Sequence, residues 1–282
     1  MRKNKLVAPF LYIVPPTISI FLTCCSNQPD KTKDTKTPVA VETPKRYIES
    51  DRSDSDKIKR IYLTFDDGPY MTTPQLTALL KDKRIRASFF IIGSQIDHST
   101  MYDSIFKATL SYDSFKVYNH TYTHAVTKGR IHNYYNDPQS VWTDVVNNKK
   151  FLPENSFITR LPGKNTWRTP KRKTHDKQDT KRFIDLLDST NSNEQIIGWD
   201  FVWTDKTNTS YDEVIDLINK VEVKLEKNEG GNKDVVILLH DYLFRNKNYL
   251  NLLEKFIDHF RNRSEIKFDW VHNLPGVGKL QK

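Results

Sequence analysis

The sequence predicts a parallel α/β fold, a distorted barrel of about seven strand–helix units rather than an open doubly wound sheet. Three observations predict it. From Ile58 onward, short β-branched or aromatic runs alternate with helix-length stretches. The strand-then-helix order repeats over about 225 residues, a length that suits a barrel. Polar clusters follow the strand ends, where parallel folds collect their functional residues.

The strands fall at 60–65 (RIYLTF), 87–92 (ASFFII), 115–118 (FKVY), 157–160 (FITR), 195–199 (QIIGW), 234–239 (DVVILL) and 266–271 (IKFDWV). Each is a short apolar run of strand length. The helices fall between them, at 74–83, 99–110, 138–150, 177–187, 211–228 and 247–261. In the helix at 211–228, Val214, Leu217, Ile218, Val221 and Leu225 recur at helical spacing. No internal repeat suggests a solenoid.

Residues 1–24 read as an export signal. Arg2, Lys3 and Lys5 form a positive start, and Leu6 to Leu22 is apolar but interrupted by Pro15-Pro16. The run is shorter than the roughly 20 residues of a comfortable membrane span. Leu22-Thr23-Cys24-Cys25 follows, similar to a bacterial lipoprotein signal with Cys25 as the lipidated residue and Cys24 as the other candidate. Residues 25–57 are rich in Asp, Lys, Thr, Ser and Pro and read as a flexible tether. The expected product is an exported chain, anchored by lipid to a bacterial membrane, with its folded domain at 58–282.

Composition narrows the function classes. The 282 residues carry a formal charge of +9, and removing Arg2, Lys3 and Lys5 leaves +6. That excess selects no partner by itself. No nucleic-acid-binding signature, Gly-rich phosphate loop or heptad pattern is present, so no nucleic acid is expected, and a monomer is. The two cysteines are adjacent, which rules out an internal disulfide framework and a thiolate metal site.

The strand ends carry the chemistry. The first is followed by Asp66-Asp67-Gly68-Pro69, the third by His120-Thr121-Tyr122-Thr123-His124, and the fourth by Arg160-Leu161-Pro162-Gly163. Asp200 and Trp203 follow the fifth, and His240-Asp241 the sixth. Histidines four apart fit one face of a helical turn, where both can hold one metal ion. Two histidines and one carboxylate leave positions open for water and substrate. The second carboxylate is then free to act as a general base.

TFDDGP, NHTYTH, Arg-x-Pro-Gly, the Asp/Trp segment and LLHD occur in the order of the NodB-type polysaccharide deacetylases, carbohydrate esterase family 4, which the chain resembles from about Ile61 to Asp241. The resemblance implies a distorted (β/α) barrel and metal-dependent removal of acetyl groups from N-acetylated sugars. It implies Asp66 as catalytic base and Asp67, His120 and His124 as ligands of a divalent metal: zinc, with cobalt and nickel as alternatives. It further implies Arg160 paired with the base, His240 as general acid, Asp200 behind His240, and Trp203 and Leu238 as walls of an acetyl pocket. Two positions depart from the family pattern. Pro162 and Gly163 are adjacent, with no Tyr between them, so no oxyanion donor is assigned. Asp200-Phe201-Val202-Trp203 lacks a second Asp, and Asp205 comes late.

Three other functions share parts of these features: an O-acetyl esterase, a two-His, one-carboxylate iron oxygenase, and a lipid-tethered glycan-binding protein without activity. The run Lys164, Arg168, Lys171, Arg172, Lys173 and Lys177 suggests a basic rim for an acidic glycan, with a solvated charge run as its alternative.

Overall fold

A computed structural model describes residues 58–126, 131–154, 156–174, 177–203, 211–227 and 233–277. The predicted signal at 1–24, the tether at 25–57, both cysteines and Asp205 lie outside the described residues.

The strands are β1 (Lys59–Gly68), β2 (Ala87–Ile91), β3 (Phe115–Asn119), β4 (Ile158–Thr159), β5 (Trp167–Arg168), β6 (Lys173–Thr174), β7 (Gln195–Ile196), β8 (Phe201–Val202), β9 (Asp234–His240) and β10 (Ile266–Phe268). The helices are α1 (Thr73–Asp82), α2 (Gly93–Asp97), α3 (Thr100–Leu110), α4 (Pro138–Asn148), α5 (Lys177–Ser189), α6 (Tyr211–Glu226) and α7 (Lys247–Arg261). Several helix starts are set by local chemistry. Ser99 accepts from the Tyr102 amide to begin α3, and Asp137 accepts from the Gln139 and Ser140 amides to begin α4, with Pro138 in its first turn.

The strands order as β6-β5-β7-β4-β3-β2-β1-β9-β8 in one sheet, parallel except around β5, and β10 runs beside the start of β1. β1 is the axis of the molecule. It pairs with β9 over Arg60–Asp66, and on its other side with β10 and then with β2. Such a strand is buried on both faces, as parallel sheets require.

Alternation sorts the residues of β1 into two layers. Ile61, Leu63 and Phe65 join the helix-facing core with Leu76, Phe89, Ile237, Leu239, Leu253 and Phe256. Tyr62 faces inward with Phe90, Tyr118, Ile158, Ile197 and Val236. Thr64 and Asp66 share that inner face by the same alternation. A flat sheet would separate β4 from β1 by about 14 Å. Arg160, at the end of β4, nonetheless bonds Thr64 and Asp66 of β1, so the sheet is strongly curled.

The expected distorted barrel is present as a curled half-barrel: among the described residues eight of the ten strands pair in parallel, close to the seven or so expected. β4, β7 and β8 are only two residues long, and the antiparallel β5–β6 hairpin occupies one edge. Among the described residues no pairing joins β6 to β8.

Candidate active site

Successive side chains on a strand point to opposite faces, so Asp66 and Asp67 should diverge. The end of β1 prevents this. Its register to β2 slips between Asp66 and Gly68, and Asp67 adopts a left-handed φ of 70°. Both carboxylates then open on one space. Asp66 Oδ2 lies 3.8 Å and Asp67 Oδ1 3.2 Å from the same atom, His120 Nε2. Gln95 donates to the Asp67 carbonyl and holds the bulge.

The histidine pair meets differently from the expected helical turn. Residues 120–126 form a looped turn after β3, and Thr121, His124 and Ala125 all have φ between 55° and 65°. For a β-branched residue such as Thr121, that conformation is a true outlier, held only by its surroundings. Thr121 donates its amide to Asn119 Oδ1 and accepts from the His124 amide. Asn148 of α4 bonds the same Asn119 oxygen and the Ile91 carbonyl. Asp144, also on α4, accepts from the Thr123 amide, the Thr123 hydroxyl and the Tyr134 hydroxyl.

This loop brings His124 Nε2 to 2.9 Å from Asp67 Oδ1, with the two imidazole rings 5.0 Å apart. One donor atom from each of Asp67, His120 and His124 lies within 4.8 Å of the others. His120 Nδ1 is 2.9 Å from the Arg160 carbonyl. A carbonyl only accepts, so Nδ1 carries the proton and Nε2 presents a lone pair. That lone pair faces a carboxylate oxygen buried without a hydrogen-bond donor, an arrangement that repels unless a cation or a proton lies between. Burial raises the Asp67 carboxyl, but with protons on the facing nitrogens His120 and His124 outweigh it and hold it well below the usual carboxylate range, so positive charge between these groups is what keeps Asp67 ionised. An ionised carboxylate and a bare imidazole nitrogen suit a divalent metal.

Arg160 is fully buried. It donates to Asp66 Oδ1 at 2.8 Å, Thr64 Oγ1 at 2.7 Å, and the carbonyls of Ile197 and Gly198. Its guanidinium lies 4.2 Å from the Phe90 ring centre. Asp66 is thus fixed from the side opposite His120.

His240 ends β9 directly beside Asp66. Its Nε2 stands 4.0 Å from Asp67 Oδ2, and its ring lies 5.2 Å from that of Tyr242. Burial pushes this imidazole below its ordinary value, with Asp66 and Asp67 opposing. Leu238 lies two residues earlier on β9, on the face that leads to His240.

Two expected members stand elsewhere. Asp200 donates its amide to the Val236 carbonyl and accepts from the Val236 amide. Val236 is four residues before His240, roughly 13 Å back along the strand. The Asp200 carboxylate pairs instead with Arg172 and Lys224. Trp203 follows the register of β8 onto the helix-facing side, where it packs edge-on against Phe256 of α7. Arg168 of the basic run also turns away, to Asp188 and the carbonyls of Ser192 and Glu194.

Thr64, Gln95, Asn119, Asp144 and Asn148 support the site and were not singled out from the sequence. Thr64 was findable, since it stands two residues before Asp66 on the same strand face. Asn119 acts locally, on the Thr121 amide two residues on, whereas Gln95, Asp144 and Asn148 act across longer sequence separations and leave no local signal.

A family model described as polysaccharide deacetylase matches residues 53–256. The chain is 32% identical over 78 residues to a chitooligosaccharide deacetylase of Rhizobium leguminosarum bv. phaseoli, 27% of this chain and 33% of that one. It is 29% identical over 124 residues to a peptidoglycan-N-acetylglucosamine deacetylase of Bacillus cereus, 43% of this chain and 53% of that one. It thus spans from a third to about half of these curated relatives. The solved structure of a Bacillus cereus polysaccharide deacetylase superposes with a TM-score of 0.53 at 17% identity, over 75% of this chain and 91% of that one, a likeness of fold.

Proposed function

The chain belongs to the polysaccharide deacetylase family, and from that premise we propose that it hydrolyses acetyl groups from the N-acetylated sugars of a cell-envelope or extracellular polysaccharide. One observation carries the proposal: the three-donor cluster of Asp67, His120 and His124 lies against a second carboxylate, Asp66, that a buried arginine holds in place.

Asp67, His120 and His124 would hold the divalent metal, with zinc first among the alternatives. Bound there, the metal supplies Lewis acidity, polarising the acetyl carbonyl and making water a better nucleophile. The chain's own residues do the rest. Asp66 accepts the proton of the attacking water, and its bond from Arg160 keeps one oxygen engaged while Oδ2 stays turned to the site. Arg160 also orients His120 through its carbonyl, so one residue aligns both base and ligand. His240 gives its proton to the departing nitrogen as the carbon–nitrogen bond breaks, releasing acetate and a free amine. A depressed imidazole pKa makes its protonated form the stronger acid for that step. Leu238 lies on the face that would take the acetyl methyl.

The proposal extends to the N-terminus, where lipid on Cys25 would anchor an exported monomer and residues 25–57 would let it reach its glycan. Labelled fatty acid incorporated into the wild-type chain and lost in Cys25→Ala supports that part. Labelling that survives in Cys25→Ala and disappears in Cys24→Ala moves the site to Cys24.

The test of the activity is an acetate-release screen over acetylated glycans, run native, after chelation and after zinc is restored. Release that stops on chelation and returns with zinc is expected. Release indifferent to chelation refutes the metal role.

A further inference from the structure

The open seam of the curled sheet carries a second built feature, distant in sequence from the catalytic motifs. Arg172, in the turn between β5 and β6, reaches across the seam to Asp200 at the start of β8, Nη1 to Oδ1 at 2.8 Å. Its guanidinium also lies over Trp167, 3.9 Å from the ring centre. Lys224 of α6 takes the same carboxylate oxygen at 3.2 Å. Above this junction lies a groove of about 570 Å³, lined by Arg172, Phe201, Lys220, Val223, Lys224 and Lys227 among others.

Among the described residues, the charge lining this groove is unbalanced. One buried carboxylate, Asp200, is shared by Arg172 and Lys224. Lys220 has an exposed i,i+4 pair with Asp216, which is a weak neutraliser in water. Lys227 has no ion-pair partner among the described residues. Arg172 is fixed by Trp167 and Asp200 before any ligand arrives, so its ordering cost on binding is already met. Phe201 and the half-exposed Val223 give the groove an apolar wall.

A charged sugar presents an anionic substituent together with an apolar C–H ring face, and the groove offers a counterpart to each. Its volume falls within the roughly 300–1,000 Å³ of small-ligand sites. The groove lies on the α6 side of the sheet: Phe201 pairs with Ile237, three residues before His240 and about 10 Å along the strand, and both belong to the helix-facing layer, so a glycan strand that occupies both sites runs around the β8 edge. We propose that the seam groove binds an anionic stretch of a glycan strand, one bearing carboxylate or phosphate groups, while an acetylated sugar of the same strand occupies the site at Asp66 and His240. This inference rests on the reading of the chain as a glycan deacetylase.

The test is direct binding to the full chain, measured by calorimetry without turnover, so that it stays separate from the activity itself. The probes are a uronate-containing hexasaccharide, a phosphate-bearing oligosaccharide, a neutral chito-oligosaccharide of equal length, inorganic phosphate, and vesicles rich in phosphatidylglycerol. The variants are Lys220→Glu with Lys227→Glu, both on exposed positions, and the milder Lys220→Gln with Lys227→Gln, with thermal melts to verify folding.

The expected result is tighter binding of an acidic than of the neutral oligomer, weakened by salt, and a loss of about tenfold in the reversal variant. The Gln variant should lose less, and release of acetate from a small neutral substrate should stay unchanged. Which acidic oligomer binds tells carboxylate from phosphate. Equal binding of acidic and neutral oligomers overturns the proposal, as does wild-type affinity in the reversal variant. Variant-sensitive binding of vesicles or inorganic phosphate, with no preference for acidic oligomers, also overturns it. If acidic oligomers bind as expected but no glycan releases acetate, the deacetylase reading fails and the groove stands as a glycan site.

Discussion

At the scale of single residues, Asp66 and Asp67 are neighbours in sequence with separate partners. Asp67 points to two imidazoles, and Asp66 is gripped by Arg160. The proposed roles make separable predictions. Asp66→Asn should keep its metal, measured by elemental analysis, while acetate release falls by roughly 10²–10⁴, the usual worth of a general base. His120→Ala should lose the metal and the activity together. If Asp66→Asn loses metal and His120→Ala keeps it, the two assignments are the wrong way round. Thr64→Val is a quieter probe of the same grip. It removes the acceptor for Arg160 and the donor to the Ile237 carbonyl, both buried. A loss of about 1–3 kcal/mol in denaturant unfolding is expected.

At the scale of an element, the turn after β3 stores strain. Three residues of left-handed φ in five positions survive because α4 holds the loop through Asp144 and Asn148. Asp144→Ala should therefore weaken zinc by about 10–100-fold in a competition titration, although Asp144 is not among the three donors. Zinc affinity equal to wild type would mean that the loop holds its shape without α4. The end of β1 makes the same point on a strand. A bulge at Asp67 achieves what strict alternation forbids, two adjacent carboxylates on one side.

At the scale of the whole molecule, two carboxylates outside the three-donor cluster, Asp200 and Asp241, bear on stability. Asp200 joins the edges of the seam, so Asp200→Ala should cost about 2 kcal/mol of stability by stranding the Val236 amide and two cations. It should leave the pH profile of acetate release unchanged. A displaced limb of that profile would restore Asp200 to a role behind His240. Asp241 is fully buried, with its carboxylate against Thr73 and near Asp67 and Asp66. Burial first, and those charges after it, push its carboxyl up to about 7. The folded state thus favours the protonated acid. Its contribution to stability is complete below the unfolded value near 4 and declines as pH rises through 7. In chelator-treated protein, Asp241→Asn should match wild type in thermal melts near pH 4. It should gain at pH 9, by no more than about 4 kcal/mol. An equal difference at both pH values would show that Asp241 does not titrate in this range.

The sequence by itself determined the strand and helix order, the place of each motif at a strand end, and which residues form the Asp67, His120 and His124 cluster. These are local matters: short apolar runs, helical spacing and residue types at fixed positions. Predicted and observed bounds agree closely for β1, β2, β3 and β9 and for most helices. Tertiary structure decided what depends on contacts between distant segments. It replaced the helical turn at His120–His124 with a pinned loop, because Asp144 and Asn148 of α4 supply bonds that no local pattern encodes, the latter through Asn119. It moved Asp200 from His240 to Arg172 and turned Trp203 to the helix layer, because strand register fixes both how far along and which face. Among the described residues it leaves the β6 and β8 edges unpaired with each other, since two-residue strands give too little pairing to close the barrel.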